Sequence, residues 1–182
     1  SFPTRRSSDL EYTKVRQPSV PIHTTTFDMA QLIEQLAADF ELEAKKINMQ
    51  IQVKANPASL MMEGDTEKLV RVFNNLLSNA LKYGKGGHHI VMEVDKVGTE
   101  AIIAVRNDGP AIPKHSLDQL FDRFYRVEES RSQETGGTGL GLAIAQSIVA
   151  LHGGYIYAKS DQKWTSFIIH LPLQRTNKKS ES

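Results

Sequence analysis

Four glycines fall within the six residues "GGTGLG" (136–141), and an almost uninterrupted apolar run, "LGLAIAQSIVAL" (140–151), follows at once. Glycine loses more conformational freedom on folding than any other residue, so a cluster of it at the entrance to a buried helix needs a reason. The apolar run itself predicts a helix lying in the core, and the flanking segments supply layers to bury it. "IHTTTFDM", "MQIQVKA" (49–55), "LMMEG" (60–64), "HHIVMEV", "AIIAVRN", "YIYAKS" and "TSFIIHLP" read as strands from their β-branched content and alternation. Asp28 caps a helix whose apolar face is Met29, Leu32, Ile33, Leu36, Phe40, Ala44 and Ile47. Asp65 caps a second, running to about Tyr83, with Leu69, Phe73, Leu76, Leu77 and Ala80 as its core stripe. "GKGG" (84–87) is a turn, and Pro113 opens a short helical stretch containing "LDQLF". Helices and strands mix without regular βαβ alternation. The predicted fold class is α+β: a two-layer α/β sandwich with helices packed on one face of a mixed sheet.

The chain's 182 residues, 40% of them hydrophobic, suit one domain with tails. A formal charge of +1 gives no general attraction to nucleic acid or to a membrane surface. The absence of cysteine excludes disulfides, zinc–thiolate sites and thiol nucleophiles. No apolar run approaches the roughly 20 residues that span a bilayer. "SFPTRRSSDL" lacks apolar periodicity and resembles the in-frame translation of a sequencing-library adapter, so residues 1–10 are expected to be a non-native scar. Residues 11–26 are expected to be a linker, 27–173 the folded domain and 174–182 a polar tail. Residues 127–138, "VEESRSQETGGT", have the composition of a mobile loop.

Three stretches carry chemistry. Asn75, Asn79 and Lys82 sit at i, i+4 and i+7 on the second helix, sharing a face away from Phe73, Leu76 and Ala80. An Asn carbonyl is a hard oxygen ligand suited to Mg2+, which keeps waters and takes substrate phosphates as partners; a solvated face with chance spacing is the alternative. In "VRNDGPAIP" (105–113), Asn107 and Asp108 can read a nucleobase edge, though these residue types also make ordinary turns. Gly136, Gly137, Gly139 and Gly141 let backbone N–H groups converge on an anion at a helix N-terminus, or else hinge a loop packed on a core helix. "GTGLGL" lacks the spacing of either the P-loop or the dinucleotide fingerprint.

In this order the segments resemble the nucleotide-binding domain of sensor histidine kinases, within the superfamily shared by gyrase, the heat-shock protein 90 chaperones and MutL. "NLLSNALKY" (75–83) is similar to the family's N box, "NDGPAI" (107–112) to its first glycine box, "LFDRFYR" (120–126) to its F box and "GGTGLGLAI" (136–144) to its second glycine box. "RVFNNLLSNALKY" and "NDGPAIP" are similar in particular to the sensors of vancomycin resistance. The resemblance implies a Bergerat-type ATP-binding fold and an ATP site. In it Asn79 ligates Mg2+, Asn75 lies on the metal or phosphate side, Lys82 approaches phosphate and Tyr83 borders the nucleotide. Asn107 contacts the adenine amino group, with Gly109 and Ile112 near the ring. Arg126 and Arg131 face phosphate. Gly137, Gly139 and Gly141 form the lid hinge and cradle, joined in the site by Thr138, Leu140 and Leu142. Phe121 and Phe124 anchor the lid.

Departures from the family pattern matter. Asn107 stands where the family has Asp, Ala111 replaces a glycine, and a closing glycine is missing from "QKWTSF", where Thr165 keeps the polar contact. ATP-hydrolysing relatives carry a Glu four residues before the metal Asn; here that place is Asn75, a neutral amide that cannot serve as a general base. None of the six histidines has the context of a phosphoacceptor. The resemblance therefore implies a protein-histidine kinase domain acting on a histidine of a missing dimerisation domain, with a response regulator downstream, homodimeric in full length and monomeric as a fragment. Its place would be the cytoplasmic side of a bacterial membrane, the fragment itself being soluble. The rivals are a catalytically inactive nucleotide-binding regulatory module, a protein-interaction module with a vestigial pocket, and a stand-alone ATPase.

Overall fold

Asp28 ends a short strand, β1 (Thr25–Asp28), and starts helix α1 (Met29–Lys46) by accepting from Ala30 N–H at 3.0 Å. The same carboxylate accepts from Leu60 N–H and Ser59 Oγ, so one side chain caps the helix and fastens it to the approach to β3 (Met61–Gly64). In this computed structural model the described residues are 21–84, 86–122 and 141–175. The expected scar, most of the linker, the 127–138 loop, Phe124 and nearly all of the polar tail lie outside them.

The remaining elements are β2 (Gln50–Asn56), α2 (Thr66–Tyr83), β4 (His89–Val97), β5 (Glu100–Asn107), α3 (Lys114–Leu117), α4 (Gly141–Leu151), β6 (Tyr155–Ser160) and β7 (Thr165–Pro172). They form a five-stranded sheet ordered β2-β4-β5-β7-β6, with β2 and β4 parallel and every other pair antiparallel. A smaller antiparallel pair joins β1 to β3. The chain after β7 laces the two sheets together, because Glu63 N–H donates to Leu173 O while Leu173 N–H donates to Thr99 O. The architecture is the expected α+β arrangement.

Strand alternation decides which face is buried. Ile90, Met92 and Val94 of β4 lie opposite Asn107, Val105 and Ile103 of β5, and these opposite Thr165, Phe167 and Ile169 of β7. Apart from Asn107 and Thr165 these residues belong to one apolar cluster with Met29 and Ile33 of α1, Leu69, Phe73, Leu76 and Leu77 of α2, and Ala145, Ile148 and Val149 of α4. The helices therefore cover a single face.

Two local expectations need correction. Ile47 does not belong to the buried face of α1: it is the helix cap and is 38% exposed. Asn48 takes a φ of 58°, which reverses the chain and turns Met49 inward in its place. The short helix after Pro113 covers 114–117, so of "LDQLF" only Leu117 is helical. A single turn returns too little hydrogen bonding to propagate, and the chain bends instead to bury Leu120. Phe121 does reach the core, meeting the Phe167 ring edge-on at 6.3 Å between centroids.

Candidate functional site

Helix α2 has a buried stripe and a polar one, and the polar one is not simply solvated. Asn75 and Asn79 are half-buried and Lys82 is exposed. Asn75 Nδ2 donates to Gly141 O at 3.1 Å, which ties the middle of α2 to the first turn of α4. Leu142, next along, packs against the core. Among the described residues the Asn79 carboxamide has no hydrogen-bond partner.

The C-terminal end of α2 meets the turn after β5. A Cβ built on Gly109 would lie 2.6 Å from Gly84 Cα and 3.0 Å from both the Tyr83 carbonyl oxygen and Asn107 Nδ2. Only glycine permits that approach, which brings Tyr83, Asn107 and Gly109 together. Asp108 holds the contact from outside. Its Oδ1 accepts from His88 N–H at 2.7 Å and His89 N–H at 2.8 Å, while Oδ2 is 2.8 Å from His89 Nδ1. Burial alone would raise this carboxyl, but the His89 and His88 hydrogen bonds outweigh it and hold it below its ordinary value. The sequence offered Asp108, like Asn107, as a reader of a nucleobase edge or as an ordinary turn residue; instead both its carboxylate oxygens are engaged by His88 and His89, partners about twenty residues away that nothing in its local context marks.

Asn107 and Thr165, 4% and 3% exposed, are strand partners at the end of the buried face. Ser160 completes the row opposite Thr165. The Ser160 and Thr165 hydroxyls share a hydrogen at 2.7 Å, and Ser160 Oγ accepts from Ile112 N–H at 2.9 Å. Where the rest of this face is apolar, its last row presents a carboxamide and two hydroxyls beside Gly109. Ser160 escaped the sequence reading because only strand register puts it in this row. Of the candidate site residues, Asn75, Asn79, Lys82 and Tyr83 thus share α2, Asn107, Gly109 and Ile112 share the turn, and Thr165 joins that turn through Ser160. Gly141 and Leu142 open α4. Arg126, Arg131, Gly137, Thr138, Gly139 and Leu140 lie outside the described residues.

The far ends of α2 and α4 are also joined. His152 is 4% exposed; its Nε2 accepts from Asp65 N–H at 2.9 Å and its Nδ1 lies 2.8 Å from Ile148 O. These partners require the neutral ring with its hydrogen on Nδ1. Burial is the main cause holding the ring below the ordinary imidazole value of 6.5, with Arg175 and Lys68 adding to it, while the Ile148 hydrogen bond and Asp65 act the other way. Because the unfolded chain then takes up the proton first, His152 contributes its full stability above pH 6.5. That contribution is lost as pH falls from there through its folded value. Urea unfolding between pH 7.5 and 5 should show this decline, and His152→Gln should flatten it. An equal decline in the variant would assign the effect to other groups. At neutral pH, His152→Ala leaves a buried N–H unpaired, at a cost of about 1–3 kcal/mol before any cavity term.

Among the described residues no group of three or more His, Cys, Asp or Glu side chains could hold a metal ion. The donor set near Asn79 fits an ion that takes one protein oxygen and completes its shell with water and phosphate, as Mg2+ does. It does not fit a closed structural metal site.

Residues 64–175 match the family described as histidine kinase-, DNA gyrase B-, and HSP90-like ATPase. The chain is 37% identical over 162 residues to the sensor protein VanS of Enterococcus faecium, covering 89% of this chain and 42% of that protein. It therefore spans less than half of that relative's length. The catalytic domain of histidine kinase ThkA superposes with a TM-score of 0.75 at 27% identity, over 84% of this chain and 97% of that domain. ThkA in complex with the response regulator TrrA gives 0.71 at 26% identity, over 94% of this chain and 47% of that one.

Proposed function

Because the chain belongs to the histidine kinase-, DNA gyrase B- and HSP90-like ATPase family, as an ATP-binding catalytic domain of sensor histidine kinases, we propose that it binds ATP where α2 meets the Asn107–Ile112 turn. The observation that carries this placement is the convergence at one end of the sheet. The half-buried amides of α2, the Gly84–Gly109 approach and the polar row of Asn107, Thr165 and Ser160 meet there.

In this reading Asn107 and Thr165 take the base edge, and Gly109 and Ile112 flank the ring. Tyr83 borders the nucleotide, and Lys82, Arg126 and Arg131 face the phosphates. Gly137, Thr138, Gly139, Leu140, Gly141 and Leu142 form the cradle and hinge. Asn79 holds Mg2+, which when bound neutralises phosphate charge. Asn75 spends its amide N–H on Gly141 O and offers no base for water, so the domain orients the γ-phosphate without hydrolysing it efficiently. A histidine on a separate dimerisation domain receives the phosphoryl group, and catalysis here is positioning and charge neutralisation. The whole protein is then a homodimeric membrane sensor that passes phosphate to a response regulator, the kind of partner named for ThkA. This domain would lie on the cytoplasmic side as a monomeric unit. Among the described residues no helix is long and apolar enough to cross a membrane.

The deciding experiment is a calorimetric titration of ATP into this domain with and without Mg2+, followed by incubation with a histidine-bearing partner domain and labelled ATP. Binding strengthened by Mg2+ and acid-labile label on the partner are the expected results. A folded domain that binds no ATP would remove the reading. Binding without any phosphohistidine would leave a nucleotide-binding module that is not a kinase.

A further inference from the structure

We infer that this site reads the purine edge without a fixed polarity and admits 6-oxopurine nucleotides as well as adenine nucleotides, with Asn107 as the residue that sets this breadth. The inference rests on the nucleotide reading above and adds the range of bases the site takes.

The groups at the end of the buried face are all neutral and all two-sided. The Asn107 carboxamide has an oxygen that accepts and an NH2 that donates, and a half-turn about its last bond exchanges them. Among the described residues no hydrogen bond holds it in either sense. Thr165, directly across the strand pair, is two-sided for a different reason. If Ser160 donates in the 2.7 Å contact, the Thr165 hydroxyl hydrogen is free to donate elsewhere; if Thr165 donates, its remaining lone pair is free to accept. Ser160 Oγ keeps its bond from Ile112 N–H in both states, so the switch leaves the Ile112 backbone in place.

Adenine presents a donor at its 6-amino group and an acceptor at N1. A 6-oxopurine presents the reverse, an acceptor at O6 and a donor at N1–H. A carboxamide and a hydroxyl that can both reverse match either edge. An ionised carboxylate at position 107 would only accept. It would keep the adenine amino group as a partner and set like against like at O6. Sites that hydrogen-bond one polarity reject the other strongly because the mismatch leaves buried groups unpaired.

The test is calorimetric titration of ATP and inosine triphosphate, each with Mg2+, into the 182-residue chain and into Asn107→Asp. Inosine triphosphate carries O6 and N1–H without guanine's 2-amino group, so it separates polarity from size. The unaltered chain should bind it within about tenfold of ATP, where tenfold corresponds to about 1.4 kcal/mol. In Asn107→Asp the ratio should move toward ATP by at least another tenfold. Inosine triphosphate bound more than tenfold weaker than ATP by the unaltered chain, or a ratio unchanged in the variant, overturns the inference. Circular dichroism shows whether Asn107→Asp folds. Should it not, Thr165→Val takes its place, with the loss of affinity for both nucleotides expected and an unaltered affinity for both counting against the row. ATP binding with inosine triphosphate excluded sinks this inference alone, whereas a folded chain that binds neither removes the nucleotide reading beneath it.

Discussion

Replacing Asn79 with alanine removes the Mg2+-dependent part of ATP binding and slows transfer to a partner histidine by about 10²–10³-fold, the usual cost of deleting one preorganised electrostatic contact. The size of the effect follows from where Asn79 sits. It is half-buried on an 18-residue helix whose opposite stripe, Leu69, Phe73, Leu76 and Leu77, is fully buried, so its carboxamide is held by a rigid element. The change should not unfold the domain, because alanine is the best helix former and no hydrogen bond of Asn79 to a described residue is lost. Titrations of ATP with and without Mg2+ on both proteins measure it. If Mg2+ strengthens binding to Asn79→Ala as much as before, the metal is held elsewhere.

Gly109→Ala should lower ATP affinity by about tenfold or more while costing about 1–3 kcal/mol of stability, the range for forcing extra volume into packed surroundings. The new methyl would lie 2.6 Å from Gly84 Cα and 3.0 Å from the Tyr83 carbonyl oxygen. Both are backbone atoms and cannot rotate away. The turn has to move off α2 and takes Asn107 with it, while Asp108 resists through its bonds to His88 and His89. Gly98→Ala is the control. Gly98 has a φ of 58° but open space around it, so a side chain there costs only conformational strain, about 1–2 kcal/mol, and leaves binding alone. Equal ATP binding by Gly109→Ala and the unaltered chain would show that the α2–turn contact does not shape the site.

Much of the fold is legible residue by residue. Asp28 and Asp65 announce helix starts because a cap acts within its own first turn. The alternation in "MQIQVKA" and the stripe from Leu69 to Ala80 declare strand and helix, since side-chain direction is set locally by backbone period. The α2 amides and the residues of the Asn107 turn are visible as candidates for the same reason. Ile47 misleads because the helical period continues through it, while the left-handed Asn48 ends the helix one residue earlier.

Most elements, their caps and the residue types available for chemistry are readable from the chain alone, because each depends on interactions within a few residues. Which of these meet depends on pairings between distant segments. The parallel pairing of β2 with β4 joins segments about forty residues apart, and the Asn107–Thr165 pairing spans nearly sixty. Register across a sheet is chosen by which row is buried, so Ser160 enters the site through its place opposite Thr165 and not through any neighbour in sequence. The same holds for Asp108 under the His88–His89 backbone and for His152 against Asp65, 87 residues away. Buried backbone N–H groups must find acceptors, and it is the packing of α2, α4 and the turn that selects which side chains supply them.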